Sequence, residues 1–171
     1  LNSIAADVKG LRSDLLVWSS PYGVANRTRY PATEYVPPAV YAEVWEQAFV
    51  WAPNFDFVAQ QDSTGALANS LSDVREFLTN LSAASTRQRR SLWSNVELFE
   101  VWPRDCEWPD ACHGRHPAPF ERIKAQLENE RPLAEKLIAW EWSSCLSPNN
   151  GSETWPEATE ENYEAYKAYL A

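Results

Sequence analysis

The sequence is poor in the features that define several large functional classes. It contains no Met and only five Gly in 171 residues. No G-x-G-x-x-G or G-x-x-x-x-G-K-[ST] loop follows an apolar run, so the usual phosphate cradle of nucleotide-binding proteins is missing. There is no G-x-S-x-G elbow, and the only two His lie in one predicted loop, which leaves little for a Ser/His triad. We therefore expect no cofactor.

Positive charge and long apolar runs are also scarce. The chain has 15 Lys and Arg against 24 Asp and Glu, a net charge of −9, and no basic stripe that could follow a phosphate backbone. No apolar run reaches the roughly 18 residues that a membrane-spanning helix needs. We therefore expect neither nucleic acid nor a membrane as a partner. Leu1 lies inside a predicted helix and no signal peptide is present, which favours a mature or internal fragment of a longer product.

Cysteine is limited to three residues. Cys106 and Cys112 bracket a short segment and are predicted to form a disulfide within an irregular loop over residues 101–118, which leaves Cys145 over. Zinc binding by this pair and the two neighbouring histidines is the alternative. The C-x5-C-H-x2-H spacing is not that of a standard zinc finger, so we predict no metal site.

What the sequence has in abundance is aromatic residues and glycosylation sequons. Nine Trp, seven Tyr and six Phe supply core volume and also the flat faces on which sugars stack. N-x-S/T sequons occur at Asn26, Asn80 and Asn150. These sequons predict a secreted, extracellular glycoprotein, and the aromatic content favours carbohydrate binding.

The chain alternates between apolar runs typical of buried strands and segments with helical periodicity. Strands are predicted at residues 15–18, from 55, at 92–99 and at 137–142; helices are predicted at 1–11, 37–52, from 72, from 119 and from 159. Four consecutive βα units predict an α/β fold with parallel strands and right-handed crossovers. Two architectures fit: a small doubly wound sheet, or half of an eight-stranded barrel.

Polar side chains follow three of these predicted strands. Gln60 and Asp62 end the second, Asn95 and Glu97 the third, and Glu141 the fourth. The carboxyl ends of parallel strands meet at one edge of a sheet, so we expect an acidic, amide-lined pocket there. A pair of carboxylates can cut a glycosidic bond, and amides suit hydroxyl-rich ligands because they both donate and accept hydrogen bonds.

Each carboxylate also has a purely structural alternative. Asp62 could cap the turn that follows it, and Glu97 could pair with Arg90 or another loop cation. Glu141 could equally have no role in a site. These alternatives stay open at the level of the sequence.

The strand ends also resemble a known family. The residues that carry the resemblance are Ser19-Ser20-Pro21-Tyr22, Gln60-Gln61-Asp62-Ser63-Thr64-Gly65, Leu92-Trp93-Ser94-Asn95-Val96-Glu97-Leu98-Phe99-Glu100, Pro119 to Gln126, Trp140-Glu141-Trp142 and Ser147-Pro148. In this order they resemble an uncharacterised family of glycoside-hydrolase-like TIM barrels, a domain of unknown function. The resemblance covers most of the chain.

The resemblance implies that residues 1–171 form the C-terminal half, strands five to eight, of a (β/α)8 barrel. Glu97 would then end the seventh strand, where retaining glycosidases on this fold usually carry the nucleophile. The acid/base glutamate would end the fourth strand, which precedes this chain. The N-terminal half of the barrel, or another protein chain, would have to supply that glutamate and cover the open sheet edges.

The leading hypothesis is therefore a glycoside-hydrolase-like domain that acts on or binds polysaccharide. The alternative is a non-catalytic secreted glycoprotein for structure or assembly, lectin-like or part of a filament or cell surface. A third reading is a small doubly wound binding domain, weakened by the missing phosphate loop. The candidate catalytic residues are Glu97, Asp62 and Glu141; the candidate substrate-binding residues are Gln60, Asn95, Tyr22, Trp18, Trp93 and Trp142.

Overall fold

A computed structural model describes residues 2–23, 35–101, 115–147 and 156–171. Its centre is a four-stranded sheet in the order β1-β2-β3-β6, in which every neighbouring pair of strands is parallel. These strands are β1 (Trp18–Ser19), β2 (Phe57–Gln61), β3 (Ser91–Glu97) and β6 (Lys136–Trp140). A separate antiparallel pair is formed by β4 (Phe99–Val101) and β5 (Arg115–Pro117).

Helices alternate with the strands of the sheet. They are α1 (Asn2–Leu11), α2 (Pro38–Trp51), α3 (Leu71–Arg87), α4 (Phe120–Glu130), the short α5 (Trp142–Cys145) and α6 (Pro156–Leu170). The predicted mixed α/β architecture with parallel strands is confirmed. Among the described residues, no helix combines the length and the hydropathy needed to cross a membrane.

Helix α3 shows how the sequence sets one of these elements. Ser70 accepts a hydrogen bond from the backbone N–H of Asp73, and the Asp73 carboxylate accepts one from the Ser70 N–H, a reciprocal capping box that fixes the start of the helix. The apolar stripe that follows is buried against the sheet, as its spacing predicts. Its members are Val74, Phe77, Leu78 and Leu81.

One face of the sheet is covered by helices. On this helix-covered face, Val58 and Leu92 pack with Phe49 of α2 and with the buried stripe of α3. Toward the C-terminal end of the sheet, a second cluster joins β3 to α4 and α5. Its buried members are Val96, Leu98, Phe99, Ala118, Ile123, Cys145 and Leu146.

The opposite face carries a row of large side chains, and we call it the uncovered face. Its strand residues are Trp18, Phe57, Ala59, Gln61, Ser91, Trp93, Asn95, Glu97, Lys136, Ile138 and Trp140. Trp18 stacks on Phe57 at 5.6 Å between ring centroids, Phe57 on Trp93 at 3.9 Å, and the Lys136 ammonium lies 4.6 Å from the Trp93 ring. Trp18 and Trp140 nevertheless stay 45% and 47% exposed. This face is therefore a largely apolar surface that the described residues cover only in part.

Two strand predictions need correction. The run 15–18 is not a buried strand, because only Trp18 and Ser19 pair with β2, while Leu15 and Leu16 are exposed. The fourth strand ends at Trp140, and Trp142 already begins α5. Apolar runs reveal hydrophobic segments, but pairing with a neighbouring strand decides where a strand begins and ends.

Candidate functional site

Glu97 closes β3 and is fully buried, at 0% exposure. Its Oε2 accepts a 2.6 Å hydrogen bond from the backbone N–H of Ala66, in the loop that follows β2. The loop approaches so closely that a Cβ on Gly65 would lie 2.2 Å from the Phe99 carbonyl oxygen and 3.1 Å from Glu97 Oε2. A backbone N–H at this distance stabilises the charged carboxylate and fixes its direction.

Other polar and aromatic groups of the uncovered face surround Glu97. Trp140 of β6 is its register partner, and Asn95 precedes it by two residues on the same face. Asn95 donates to Ser20 Oγ at 3.1 Å, and Gln61 donates to the Ser20 carbonyl at 2.8 Å. Asn95 is 6% exposed, and its Oδ1 has no hydrogen-bond partner within the described ranges. A buried acceptor of this kind is suited to a ligand hydroxyl.

Gln60 lies on the other side of the sheet. It pairs in register with Ser94, not with Asn95, and so faces α2, where its Oε1 accepts from the Tyr41 hydroxyl at 2.8 Å. Its Nε2 donates to the Pro21 and Gln61 carbonyls. Burial raises the pKa of Tyr41 to about 12, so the phenol stays a neutral donor. Gln60 therefore does not line one pocket with Asn95 as expected, because the register pairs Asn95 with Gln61 and leaves Gln60 on the opposite face.

Asp62 is also behind the sheet and only 2% exposed. Its Oδ1 accepts from the backbone N–H groups of Thr64 and Glu97, both at 3.2 Å, and its Oδ2 accepts from Gln126 Nε2 of α4. The contact with Thr64 is the turn-capping alternative that the sequence left open. Burial raises the pKa of Asp62, although these donors act in the opposite direction.

A second buried carboxyl, Glu130, lies in the same layer. Its Oε2 accepts from the Ser94 hydroxyl, and burial together with the nearby charge of Asp62 raises its pKa well above the ordinary value. Sequence reasoning missed Glu130 as a buried group of this layer. A signal was present, because Gln126 and Glu130 follow Ile123 at the i+3 and i+7 positions of the stripe that α4 buries.

The cation nearest the site comes from α4. Arg122 donates to the carbonyl oxygens of Glu97 at 3.2 Å and Phe99 at 2.6 Å, and it pairs with Glu100 at 3.1 Å. Burial lowers its pKa, while the surrounding carboxylates act against that effect. Arg90, the partner suggested by the sequence, instead donates to the Pro53 carbonyl.

The predicted stacking residues lie apart from Glu97. Trp93 is four residues earlier on β3, roughly 13 Å along the strand, and Trp18 joins it in the aromatic row. Trp142 packs edge-on against Tyr166 of α6 at 5.8 Å between centroids. The aromatic ring of the uncovered face that lies beside Glu97 is Trp140, which sequence reasoning did not select.

The remaining predicted site residues are placed as follows. Tyr22 is exposed, and its carbonyl oxygen accepts from the Tyr41 hydroxyl at 3.2 Å. Glu141 is half-buried between β6 and α5. Asn80 lies within α3, half-buried, and its side chain donates to the Glu76 carbonyl at 2.9 Å. The other predicted glycosylation and disulfide residues lie outside the described ranges: Asn26, Asn150, Cys106 and Cys112.

Glu97 is the one carboxylate among the described strand residues of the uncovered face. A two-carboxylate mechanism requires a partner about 5–10 Å away. Within the same described ranges, no three His, Cys, Asp or Glu side chains converge where they could hold a metal ion. The chemistry that this chain offers is a buried, hydrogen-bonded carboxylate beside an amide and an aromatic ring.

Comparison with known proteins shows a structural neighbour and a family. The structure is similar to a solved chain from Bacteroides thetaiotaomicron VPI-5482 described as a "putative alpha-L-fucosidase", with a TM-score of 0.77 and 20% identity over 99% of this chain. The present chain spans 49% of that chain, and the likeness concerns the α/β fold alone. Residues 1–152 match the family described as Domain of unknown function (DUF4434), and the chain belongs to it. No curated protein matches significantly.

Proposed function

We propose that this domain is the second half of a glycoside-hydrolase-like (β/α)8 barrel that acts on polysaccharide, with Glu97 as its reactive carboxylate. The observation that carries the proposal is the position of Glu97 at the C-terminal end of β3, on the uncovered face and held by the Ala66 N–H. Ligands on parallel α/β folds bind at this end of the strands.

The half-barrel assignment is supported by the sheet and by the fold likeness. Within the described residues, four parallel strands in sequential order leave β1 and β6 as open edges, and the likeness covers about half of a longer chain. A complementary set of four βα units would pair with both edges and bury the aromatic row, in the way that barrel interiors are filled by layers of side chains. We propose that this complement also supplies the second carboxylate.

In the proposed reaction, Glu97 bonds to the anomeric carbon as the glycosidic bond breaks, and the second carboxylic acid gives its proton to the leaving oxygen. Water then displaces Glu97 from the sugar and returns a proton to that second group. Trp140 would stack against the sugar ring, and Asn95 Oδ1 would accept a hydrogen bond from a sugar hydroxyl.

The test is turnover of a panel of aryl glycosides, including an aryl α-L-fucoside, by the complete protein. Glu97→Gln is expected to reduce kcat by about 10²-fold or more, because it removes the carboxylate and keeps the shape. The matched control is Glu76→Gln, an exposed glutamate on α3, which is expected to leave kcat unchanged. Full activity of Glu97→Gln would remove Glu97 from the mechanism.

A non-catalytic, lectin-like glycoprotein is the second candidate. It is favoured by the complete burial of Glu97 beneath the loop after β2 and by the single carboxylate on the described strand residues of the uncovered face. In that case the complete protein binds sugars but hydrolyses no member of the panel, and Glu97→Gln binds those sugars as well as the wild type does.

We further propose that the domain is secreted and N-glycosylated, on the strength of its three sequons. Mass spectrometry of the protein from its natural source is expected to show glycan on Asn80 or another sequon. Three unmodified asparagines would refute this proposal.

A further inference from the structure

We propose that Asp62 and Gln126 are positioning residues for Glu97, which hold it from behind the sheet in the geometry that its reaction needs. This inference rests on the proposed function of Glu97 and extends it to two residues that face away from the uncovered face. Neither side chain is offered as a catalytic group.

The need for such residues follows from where the strands end. The pairing of β2 with β3 stops at Gln61 and Asn95, and the Asp62 N–H donates to the Asn95 carbonyl at 3.1 Å. Glu97 lies beyond the last residue pair of this ladder. There the backbone N–H of Glu97 donates at 3.2 Å to Oδ1 of the Asp62 side chain, so a side chain holds the peptide where the ladder has ended.

The same carboxylate also holds the loop that fixes the Glu97 side chain. Oδ1 of Asp62 accepts from the Thr64 N–H at 3.2 Å, and two residues later the Ala66 N–H donates to Glu97 Oε2 at 2.6 Å. The contacts form a closed ring from the Glu97 peptide to Asp62, through the loop, and back to the Glu97 carboxylate. A displacement of Asp62 would therefore move both the peptide and the carboxylate of Glu97.

Gln126 completes the arrangement from α4. Its Nε2 donates to Asp62 Oδ2 and also lies 3.3 Å from the Glu97 carbonyl oxygen. Both neighbours are acceptors, so this orientation of the amide is the one that the contacts require. Through these contacts the N–H and the carbonyl of Glu97 are both held by buried side chains.

A simple turn cap does not require this arrangement. Capping needs only the contact between Asp62 and Thr64, whereas placing a carboxylate and an amide in the buried layer between helix and sheet costs solvation energy. Gln126 is fully buried and makes no contact with the turn in the hydrogen bonds of the described residues; its two acceptors are Asp62 and Glu97. The arrangement is best explained by the need to fix Glu97.

The first test compares Gln126→Met with Asn129→Leu in the complete protein. Methionine keeps the length of Gln126 but cannot donate a hydrogen bond. Asn129 is the matched control, because it lies on the same helix but its side chain bonds to α3: it donates to the Leu71 carbonyl and accepts from Arg75 Nε, both at 2.9 Å. With whichever aryl glycoside the wild type hydrolyses, we expect Gln126→Met to lower kcat about 10- to 100-fold with KM within about twofold. Asn129→Leu is expected to lower the melting temperature with kcat unchanged.

A second readout does not depend on activity. In protein labelled with ¹³C at glutamate carboxyl groups, the Glu97 signal is the one lost in Glu97→Gln. We expect its chemical shift to move in Gln126→Met and to stay in place in Asn129→Leu. If no glycoside is hydrolysed, the proposed function fails while this measurement still decides the positioning role.

The inference is overturned if the Glu97 signal is unchanged in Gln126→Met, or if kcat falls equally in both variants in step with their melting temperatures. Should Gln126→Met fail to fold, Asp62→Asn replaces it. In that variant the new amide oxygen still accepts from the Glu97 and Thr64 N–H groups, but its NH2 group faces the NH2 group of Gln126, so the hydrogen bond between these two side chains is lost. It is expected to move the same signal in the same way, and an unmoved signal would again reject the inference.

Discussion

At the scale of single residues, the chain keeps two carboxyl groups in a buried layer behind the sheet. Asp62 and Glu130 both have raised pKa values, with burial as the first cause, and the charge of Asp62 is a further cause for Glu130. The Ser94 hydroxyl donates to Glu130, and Gln126 donates to Asp62. A neutral Glu130 beside a charged Asp62 is the arrangement that costs least in such a layer.

This arrangement predicts a particular dependence of stability on pH. Because the pKa of Glu130 is higher in the folded protein than the value of about 4.3 in an unfolded chain, folding takes up a proton. Its contribution is complete below about pH 4 and is lost as the pH rises through the folded pKa. We therefore expect Glu130→Gln, which removes the ionisation but can still accept from Ser94, to lose less thermal stability than the wild type between pH 5 and pH 8.

The measurement is calorimetric melting at several pH values, with Glu128→Gln as the control. Glu128 is exposed on the same helix, so its substitution makes the same change of side chain without touching the buried layer. The pH dependence should be reduced and not abolished, because burial also raises the pKa of Asp62. Parallel melting curves for the wild type and Glu130→Gln would contradict this account.

At the scale of elements, the loop between β2 and α3 decides the shape of the candidate site. It starts at Asp62, brings the Ala66 N–H to Glu97, and ends at the Ser70 cap of α3. Ser63 and Ala68 both have a φ of 55°, in the left-handed region that non-glycine residues rarely adopt. Gly65 is needed for another reason, since the Phe99 carbonyl occupies the space that a side chain would take.

Gly65→Ala is therefore expected to destabilise the protein by about 1–3 kcal/mol, since a Cβ at 2.2 Å from a backbone oxygen forces the loop to move. Chemical denaturation measures the change in the free energy of unfolding. The control is Gly10→Ala in α1, where the added Cβ would meet no atom of the described residues within 4 Å apart from its own turn of helix, and alanine favours the helix, so stability is expected to rise slightly. Equal stability of Gly65→Ala and the wild type would show that the loop is not packed in this way.

At the scale of the whole molecule, the uncovered face is the surface that favours binding of a partner. It exposes Trp18, which begins a row that continues through Phe57 and Trp93, and it exposes Trp140, which is the register partner of Glu97. The edge strands β1 and β6 also have unpaired sides in the sheet of the described residues. Apolar surface and free strand edges of this kind favour association.

The 171-residue chain alone is therefore expected to self-associate or to bind the dye ANS, and Trp18→Lys is expected to weaken both effects. The control is Trp51→Lys, which changes an even more exposed tryptophan at the end of α2, away from the sheet face. Analytical ultracentrifugation and dye fluorescence measure the two effects. A monomeric wild-type chain that binds no dye would argue against the view that a partner covers this face.

Much of the fold could be predicted from local sequence patterns. The helical stripe of α3 and the alternation of strands with helices both depend on residues a few positions apart. For the same reason, the parity of β3 correctly placed Asn95 and Glu97 on one face. These features follow from the spacing of apolar and polar residues within each element, which is fixed by the sequence itself.

Only the tertiary structure decided how those elements face each other. The register of β2 against β3 sent Gln60 and Asp62 behind the sheet, and the end of β6 at Trp140 placed an aromatic ring beside Glu97. The packing of α4 brought Gln126 and Glu130 behind the same strand end. Gln126 and Asp62 are hydrogen-bonded there although they are more than sixty positions apart in the sequence. Period alone cannot supply this information, because register and helix packing are set by contacts between residues that are distant in sequence.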